Sequence, residues 1–212
     1  MGLGDDAGMK PALLRPVLMV LAGASIALAL GLLGRALWTA PDAGGGRNAS
    51  VTGTALIGGP FILTDQNGRR VGDTDFRGKL MLVYFGYTFC PDVCPTTLLD
   101  MSQAMDALGK DAGQVQPIFI TVDPARDTAD ALKQYLVNFH PGMLGLTGTA
   151  QEIQAVAKSY RVYYANAAGK ERDYLVDHTS IVYLMDRQGR YLTHFGPTVR
   201  GAPMAAAIRK FL

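Results

Sequence analysis

The chain has 212 residues, a length that suits one folded domain and an additional terminal segment. Its formal net charge at pH 7 is +2, which is too small to indicate a nucleic acid or another polyanion as its partner. The composition includes only two cysteines, so the chain could complete a four-ligand structural zinc site only by recruiting histidine or carboxylate side chains.

An apolar segment near the N-terminus, residues 16–34, contains nineteen consecutive residues without a charge. As a helix it would span about 28 Å, which matches the hydrocarbon core of a bilayer. Lys10 and Arg15 precede the segment, and this favours a cytoplasmic N-terminus by the positive-inside rule. The segment is longer than the usual core of a signal peptide, so we expect a retained transmembrane anchor rather than a cleaved signal.

The composition changes after the anchor and divides the remaining chain. Residues 1–15 are predicted to be a cytoplasmic tail and residues 16–34 the anchor, while residues 35–52, which include a glycine-rich stretch, are predicted to be a flexible linker. Residues 53–212 then form the folded domain, and about 160 residues are enough to bury a substantial hydrophobic core.

The folded domain is predicted to open with a hairpin and a buried strand. The hairpin strands, residues 61–65 and 70–71, flank an Asn-Gly turn. A short apolar run at residues 80–85 does not alternate with polar positions, which is typical of a strand buried on both faces. Apolar residues then recur at helical spacing after Cys94 as far as Gly109, where glycine favours the end of the helix.

The pattern continues as alternating strands and helices before it changes to hairpins. In chain order we expect a buried strand at residues 117–122, a helix capped by Asp127 or Thr128, a short strand at 144–147, a helix with a capping box from Thr149 to Glu152, strands at 162–165, 180–185 and 191–195, and a C-terminal helix through Met204 and Ile208. These elements predict an α/β thioredoxin-like fold with an extra N-terminal β-hairpin, preceded by one transmembrane helix. A doubly wound nucleotide-binding fold is disfavoured, because no glycine-rich phosphate fingerprint follows a strand.

Cys90 and Cys94 are predicted to lie on the turn between the first buried strand and the first helix. Amide groups at the first turn of a helix stabilise a thiolate, so we expect a lowered pKa and reactive thiols. The two cysteines are one residue further apart than those of thioredoxin-type redox centres, which favours a related site with different chemistry. On near-helical backbone their Cα atoms would be about 6 Å apart, within reach of a disulfide.

Three uses of this cysteine pair remain open from the residues alone. Two thiolates and a neutral imidazole would hold cuprous copper in a three-coordinate site with room for an incoming ligand. A low-pKa cysteine with a resolving partner would instead carry out thiol-disulfide exchange. The pair could also form a structural disulfide, although the loop that it closes is short and the entropic gain correspondingly small.

The candidates for the imidazole are the chain's three histidines, His140, His178 and His194. In a thioredoxin-like sheet the loop that enters the strand at residues 180–185 lies beside the cysteine turn, so His178 is the best placed. The sequence context of the other two predicts a helix end and an alternating strand position, which favours structural roles. Asp177 could orient the imidazole as a hydrogen-bond acceptor, or it could be a solvated loop acid.

A second acidic and basic segment, residues 123–128, follows the buried strand at the same predicted edge of the sheet. A pair between Arg126 and a carboxylate could shape the rim of the cysteine site. The alternative is that this segment forms only a turn and a helix cap.

Three motifs occur in the order typical of one family. Residues 84–95 read Tyr-Phe-Gly-Tyr-Thr-Phe-Cys-Pro-Asp-Val-Cys-Pro, residues 121–128 read Thr-Val-Asp-Pro-Ala-Arg-Asp-Thr, and residues 173–180 read Asp-Tyr-Leu-Val-Asp-His-Thr-Ser. From about residue 55 onward the chain resembles the Sco/SenC family, membrane-tethered copper proteins that help to assemble cytochrome c oxidase. The resemblance implies a thioredoxin-like fold and a copper site made by Cys90, Cys94 and His178. The expected cofactor is copper, as Cu(I) or also as Cu(II), and the sequence does not decide which valence is preferred.

The resemblance also implies a function and a set of partners. The expected role is a metallochaperone that delivers copper to the binuclear copper centre of cytochrome c oxidase; its partners would be the copper-bearing oxidase subunit, a copper donor chaperone and a thiol reductant, and no nucleic acid. The alternative is a thiol-disulfide oxidoreductase that reduces that subunit's cysteines or acts in redox signalling, with Cys90 and Cys94 as the catalytic pair. We expect a single-pass protein of the inner membrane with its domain in the periplasm, or alternatively in the mitochondrial intermembrane space.

Overall fold

The computed structural model describes residues 56–166 and 174–212. The predicted cytoplasmic tail, anchor and linker, residues 1–15, 16–34 and 35–52, lie outside the described residues. Within the two described ranges, no helix has both the length and the apolar character needed to cross a bilayer.

The described residues form nine strands and four α-helices, which alternate from the third strand to the third α-helix. The strands are β1 (Ile62–Asp65), β2 (Arg70–Gly72), β3 (Leu80–Gly86), β4 (Val115–Thr121), β5 (Leu144–Thr147), β6 (Tyr164–Asn166), β7 (Val176–His178), β8 (Val182–Met185) and β9 (Tyr191–Phe195). The α-helices are α1 (Val93–Leu108), α2 (Ala129–Leu136), α3 (Ala150–Ser159) and α4 (Gly201–Ile208), and short 3-10 helices cover Asp73–Phe76, Gly109–Gln114 and Arg209–Phe211.

Seven of these strands form a mixed sheet in the order β2-β1-β5-β4-β3-β8-β9. Strands β3, β4 and β5 run parallel to one another, and β8 pairs with β3 in the antiparallel direction. All residues of β3 are buried, as the unbroken apolar run predicted, because this strand lies inside the sheet and has both faces covered. The carboxyl end of β3 therefore delivers the following turn to a rigid edge of the core.

The N-terminal hairpin forms as predicted and extends the sheet. β1 pairs with β2 in the antiparallel direction, with Leu63 opposite Val71, and β1 also pairs with β5. Gly68 has a φ of 78°, the left-handed conformation that glycine adopts most readily, and so closes the Asn-Gly turn. The carboxylate of Asp65 accepts hydrogen bonds from the amides of Asn67 and Arg69, and these bonds stabilise the turn.

Two strands lie outside this large sheet and form a small one of their own. β6 pairs with β7 in the antiparallel direction, and Tyr164 lies opposite His178. The sequence predicted a strand near β6 and a loop at His178. The loop prediction was wrong, because His178 is the last residue of strand β7. A strand of three residues carries too little periodicity to predict, and its pairing depends on a partner distant in the chain.

Candidate metal centre

The cysteine turn lies between the end of β3 and the start of α1. Because α1 begins at Val93, Cys94 occupies its first turn and Cys90 lies in the turn that precedes it. The amide of Cys94 donates a hydrogen bond to the Sγ atom of Cys90 at 3.4 Å. A helix-terminal amide thus points at the outer sulfur, as the sequence predicted.

The two thiols have opposite electrostatic environments. Hydrogen bonds from the Cys94 side chain, from His178 and from the amides of Asp92 and Cys94 lower the pKa of Cys90, although burial opposes them. The hydrogen bond with Cys90 and burial both raise the pKa of Cys94. The pair therefore favours one thiolate at Cys90 and one protonated thiol at Cys94 when no metal is bound.

Cys94 is fully buried, and two residues of β3 shape the space around its sulfur. The hydroxyl of Tyr84 donates a hydrogen bond to Cys94 Sγ at 3.6 Å. Burial raises the pKa of Tyr84, so this hydroxyl keeps its proton. At Gly86, a Cβ atom would lie 2.8 Å from Cys94 Sγ, so the sulfur can occupy this position only because the residue is glycine.

His178 reaches the same place from the end of β7. Its Nε2 atom lies 3.3 Å from Cys94 Sγ, and its ring packs edge-on against the rings of Tyr84 and Tyr87. The amide of Val176 donates a hydrogen bond to the hydroxyl of Tyr87 at 3.2 Å, which ties β7 to the cysteine turn. These hydrogen-bond and ring contacts hold the imidazole beside the cysteine turn.

Together the three side chains form a compact set of soft donors. One ligand atom from each of Cys90, Cys94 and His178 lies within 4.8 Å of the others. A cavity of about 280 Å³ opens beside them and is also lined by Leu175 and Val176. Two sulfurs, an imidazole nitrogen and space for an incoming ligand fit the coordination preferences of cuprous copper.

The other candidate residues, His140, His194 and Asp177, do not belong to this set of three ligand atoms. His140 Nδ1 accepts a hydrogen bond from the amide of Gly142, and His194 Nδ1 lies 2.5 Å from the hydroxyl of Tyr191. His178 Nδ1 lies 3.3 Å from the carbonyl oxygen of Thr179, in the role that the sequence suggested for Asp177. The side chain of Asp177 is exposed, because neighbouring residues of a strand point to opposite faces.

The predicted pair between Arg126 and a carboxylate forms with Asp123. The Arg126 guanidinium also stacks on the ring of Tyr174 at 3.7 Å and on that of Phe89 at 4.6 Å. The hydroxyl of Tyr174 donates to Asp123 Oδ1 at 2.8 Å. Arg126 therefore joins the cysteine turn to the segment that leads into β7.

Asp127 was one of two predicted helix caps, but Thr128 takes that role and accepts a hydrogen bond from the amide of Ala131. Asp127 is instead fully buried, and its carboxylate accepts hydrogen bonds from the amide and hydroxyl of Thr88 and from the hydroxyl of Thr121. It thereby fastens the cysteine turn to β4. A Thr-to-Asp contact across thirty-nine residues has no sequence signal of its own.

Several known proteins have sequences similar to this chain. The SCO1/SenC family model matches residues 49–212. A SCO2-like protein of Rickettsia felis is 47% identical over 141 residues, which cover 66% of this chain and 69% of the relative. The mitochondrial SCO1 homolog of Homo sapiens is 44% identical over 159 residues, which cover 74% of this chain and 53% of the relative.

Solved structures extend the similarity to the fold. Bradyrhizobium japonicum ScoI with copper bound is 49% identical, with a TM-score of 0.70 over 74% of this chain and 99% of that one. BsSco, described with a disulfide switch, is 26% identical, with a TM-score of 0.59 over 75% of this chain and 94% of that one. Sco structures have an α/β thioredoxin-like fold, which confirms the predicted fold class of the domain. The chain belongs to the SCO1/SenC family, copper-binding proteins of cytochrome c oxidase assembly.

Proposed function

We propose that this chain is a copper metallochaperone that delivers copper to the binuclear copper centre of cytochrome c oxidase. The observation that carries the proposal is the approach of Cys90, Cys94 and His178, whose ligand atoms lie within 4.8 Å of one another. Family membership and the copper-bound structure of the Bradyrhizobium relative support the choice of metal. In this function copper is the cargo, and the three side chains are its ligands.

The positions of the ligands favour a particular order of release. Cys94 is fully buried against Tyr84, whereas Cys90 and His178 line the open cavity. A thiolate of the target can therefore approach copper through the cavity and replace the imidazole first, because soft Cu(I) favours thiolate ligands over a neutral imidazole. Cys90 would be exchanged next and the buried Cys94 last.

The proposal includes a location and partners. Residues 16–34 would anchor the protein in the inner membrane and place the domain in the periplasm, with the mitochondrial intermembrane space as the alternative. Relatives from both a bacterium and mitochondria are consistent with either site. The copper-bearing oxidase subunit would receive the metal, a donor chaperone would supply it, and a thiol reductant would keep Cys90 and Cys94 reduced.

Replacement of His178 by alanine tests this function. The change deletes one proposed ligand and leaves both thiols at the helix terminus, so retention of Cu(I) against a competing chelator should fall by about 10-fold or more. His140→Ala is the matched control, because His140 interacts with Gly142 and lies outside the donor set. Equal copper retention by wild type and His178→Ala would contradict the proposed site.

A second candidate function is thiol-disulfide exchange with the oxidase subunit. The lowered pKa of Cys90, caused by its hydrogen bonds with Cys94 and His178, favours it as the attacking thiolate, and Cys94 could resolve the mixed disulfide. His178→Ala should retain exchange with a small test disulfide, because both thiols remain and so does the hydrogen bond with Cys94, which lowers the pKa of Cys90 more than the one with His178 does. If cells that carry only this variant assemble the oxidase copper centre normally without added copper, exchange is the principal role and the chaperone proposal fails.

A further inference from the structure

Tyr84 is a buried polar residue whose hydroxyl faces the metal centre from behind. It lies in β3, an interior strand of the seven-stranded sheet, and has no exposed surface. Its ring stacks on Phe119 with a centroid separation of 6.2 Å and meets the His178 ring edge-on at 6.1 Å. Since both neighbours fix the ring plane, the direction of the hydroxyl is also fixed, and it ends 3.6 Å from Cys94 Sγ.

The two sulfurs therefore differ in the donor that each receives. Cys90 Sγ accepts several hydrogen bonds, and one of them comes from the backbone amide of Cys94. Cys94 Sγ accepts from a side chain, the phenol of Tyr84, which one substitution can remove. Gly86 leaves the space that allows the sulfur to lie at this position. A hydrogen bond that depends on one side chain, at the most buried ligand, is a means of adjusting the properties of that sulfur.

We propose that Tyr84 is a positioning residue that weakens electron donation from the Cys94 sulfur and so favours Cu(I) over Cu(II) at this centre. A hydrogen bond to a thiolate withdraws electron density from sulfur, and hydrogen bonds around a ligating cysteine are known to set copper potentials. Cu(II) depends more strongly on that density than Cu(I). This inference rests on the proposed copper function and adds a determinant of the valence that is held.

The test is the change Tyr84→Phe, which keeps the aromatic ring and removes only the hydroxyl. The ratio of Cu(II) to Cu(I) affinity should rise by about two- to ten-fold, the range expected for one lost hydrogen bond. The sulfur-to-Cu(II) charge-transfer band should move to lower energy, because the sulfur becomes a better donor. Tyr160→Phe is the matched control: Tyr160 is an equally buried tyrosine that packs on Phe85 and Tyr183.

A metal-free measurement gives a second readout. With glutathione disulfide as the oxidant, the thiols of Cys90 and Cys94 lose two electrons and two protons and form one S–S bond, while glutathione disulfide is reduced to two glutathione thiols. The Tyr84 hydrogen bond stabilises the reduced sulfur, so the equilibrium constant of Tyr84→Phe should shift toward the protein disulfide by about two- to ten-fold.

The outcomes separate this inference from the function on which it rests. Unchanged values in Tyr84→Phe, or the same shifts in Tyr160→Phe, would overturn the role of Tyr84 and leave copper binding by the wild type in place. A wild type that takes up no copper would overturn the proposed function and the valence preference together. Shifts confined to Tyr84→Phe support the inference.

Discussion

The cysteine turn and the histidine strand supply one centre, but different parts of the fold hold them. The turn continues directly from β3, a fully buried strand of the seven-stranded sheet, into α1. His178 ends β7, which belongs to the separate two-stranded sheet with β6 and reaches the turn through side-chain contacts. The thiols are therefore positioned by the core, whereas the imidazole is positioned by contacts that can be weakened independently.

This difference has a functional consequence for the two candidate activities. Damage on the cysteine side should affect thiol exchange and copper binding together, because both need the two sulfurs. Damage on the histidine side should weaken copper binding and leave exchange in place. Substitutions on each side therefore test whether the two sides of the centre act independently.

The largest effect is expected from Gly86→Ala, on the cysteine side. The added Cβ would lie 2.8 Å from Cys94 Sγ and 2.9 Å from the ring of Phe119, so the buried sulfur must move. We expect a loss of about 1–3 kcal/mol in the free energy of unfolding, as for other overpacked cores, together with weaker copper binding and slower thiol exchange.

Urea denaturation, copper titration and exchange kinetics measure these effects. Gly196→Ala is the control, because a Cβ atom there meets no heavy atom within 4 Å. Stability and binding equal to wild type in Gly86→Ala would show that the core does not constrain the Cys94 sulfur.

Arg126→Lys should have the next largest effect, at the contact between the cysteine turn and the segment that leads into β7. Lysine keeps the charge beside Asp123 but loses the planar group that stacks on Tyr174 and Phe89. We expect a loss of about 1–2 kcal/mol in the free energy of unfolding and weaker Cu(I) retention, while thiol exchange stays near the wild-type rate.

Arg69→Lys provides a comparison, because Arg69 also pairs with an aspartate, Asp65, but its side chain is 70% exposed. That change should alter stability by about 0.5 kcal/mol or less and leave copper retention unchanged. A parallel loss of exchange and copper retention in Arg126→Lys would show that Arg126 supports the cysteine side as well.

The same contrast explains what could be predicted from the sequence. The predicted strand at residues 80–85 matches β3 to within one residue and the strand at 144–147 matches β5, because local apolar runs and turn residues specify them. The cysteine turn follows from these contiguous signals. The nearness of His178 was also anticipated, but only through knowledge of where a thioredoxin-like sheet places that segment.

The remaining features depend on contacts between distant parts of the chain. The local structure of His178 was mispredicted, because β7 exists through its pairing with Tyr164 in β6. Asp127 and Thr128 are both good cap residues, and their sequence does not decide which one caps α2. Asp127 points into the core because three donors surround its carboxylate there. They are the amide and hydroxyl of Thr88 and the hydroxyl of Thr121.

Asp127→Asn tests the contact between the cysteine turn and β4 through its dependence on pH. Burial raises the pKa of Asp127 above its ordinary value of 3.8, although hydrogen bonds from Thr121 and Thr88 oppose the shift. Between the unfolded and folded pKa values the folded state binds more protons, so the free energy of unfolding should fall as pH rises from about 3.8. Asparagine does not titrate. Its side-chain NH2 group can donate a hydrogen bond to the Thr88 hydroxyl, because a hydroxyl can accept as well as donate.

The free energy of unfolding of the variant should therefore rise relative to that of wild type as pH increases, by about 1 kcal/mol or less in all. Urea midpoints measured at several pH values from 3.5 upward provide the check. Parallel profiles for the two proteins would mean that Asp127 does not titrate abnormally.

The smallest effect is expected far from both sides of the centre, at Glu152 in the first turn of α3. Its carboxylate pairs with Arg70 of the hairpin and accepts from the amide of Thr149, and these contacts lower its pKa to about 2. Because the folded pKa is depressed, the stabilisation is present above the unfolded value of 4.5 and is lost as pH falls through about 2.

Glu152→Gln keeps the capping contact but removes the charge. At pH 7 we expect the free energy of unfolding to fall by about 0.5 kcal/mol, because the pair is exposed to solvent, and copper retention to stay unchanged. Urea denaturation should show this deficit shrinking between pH 4.5 and 2, where wild-type Glu152 becomes protonated. A deficit that persists unchanged through that range would assign the role of Glu152 to its shape and hydrogen bond rather than to its charge.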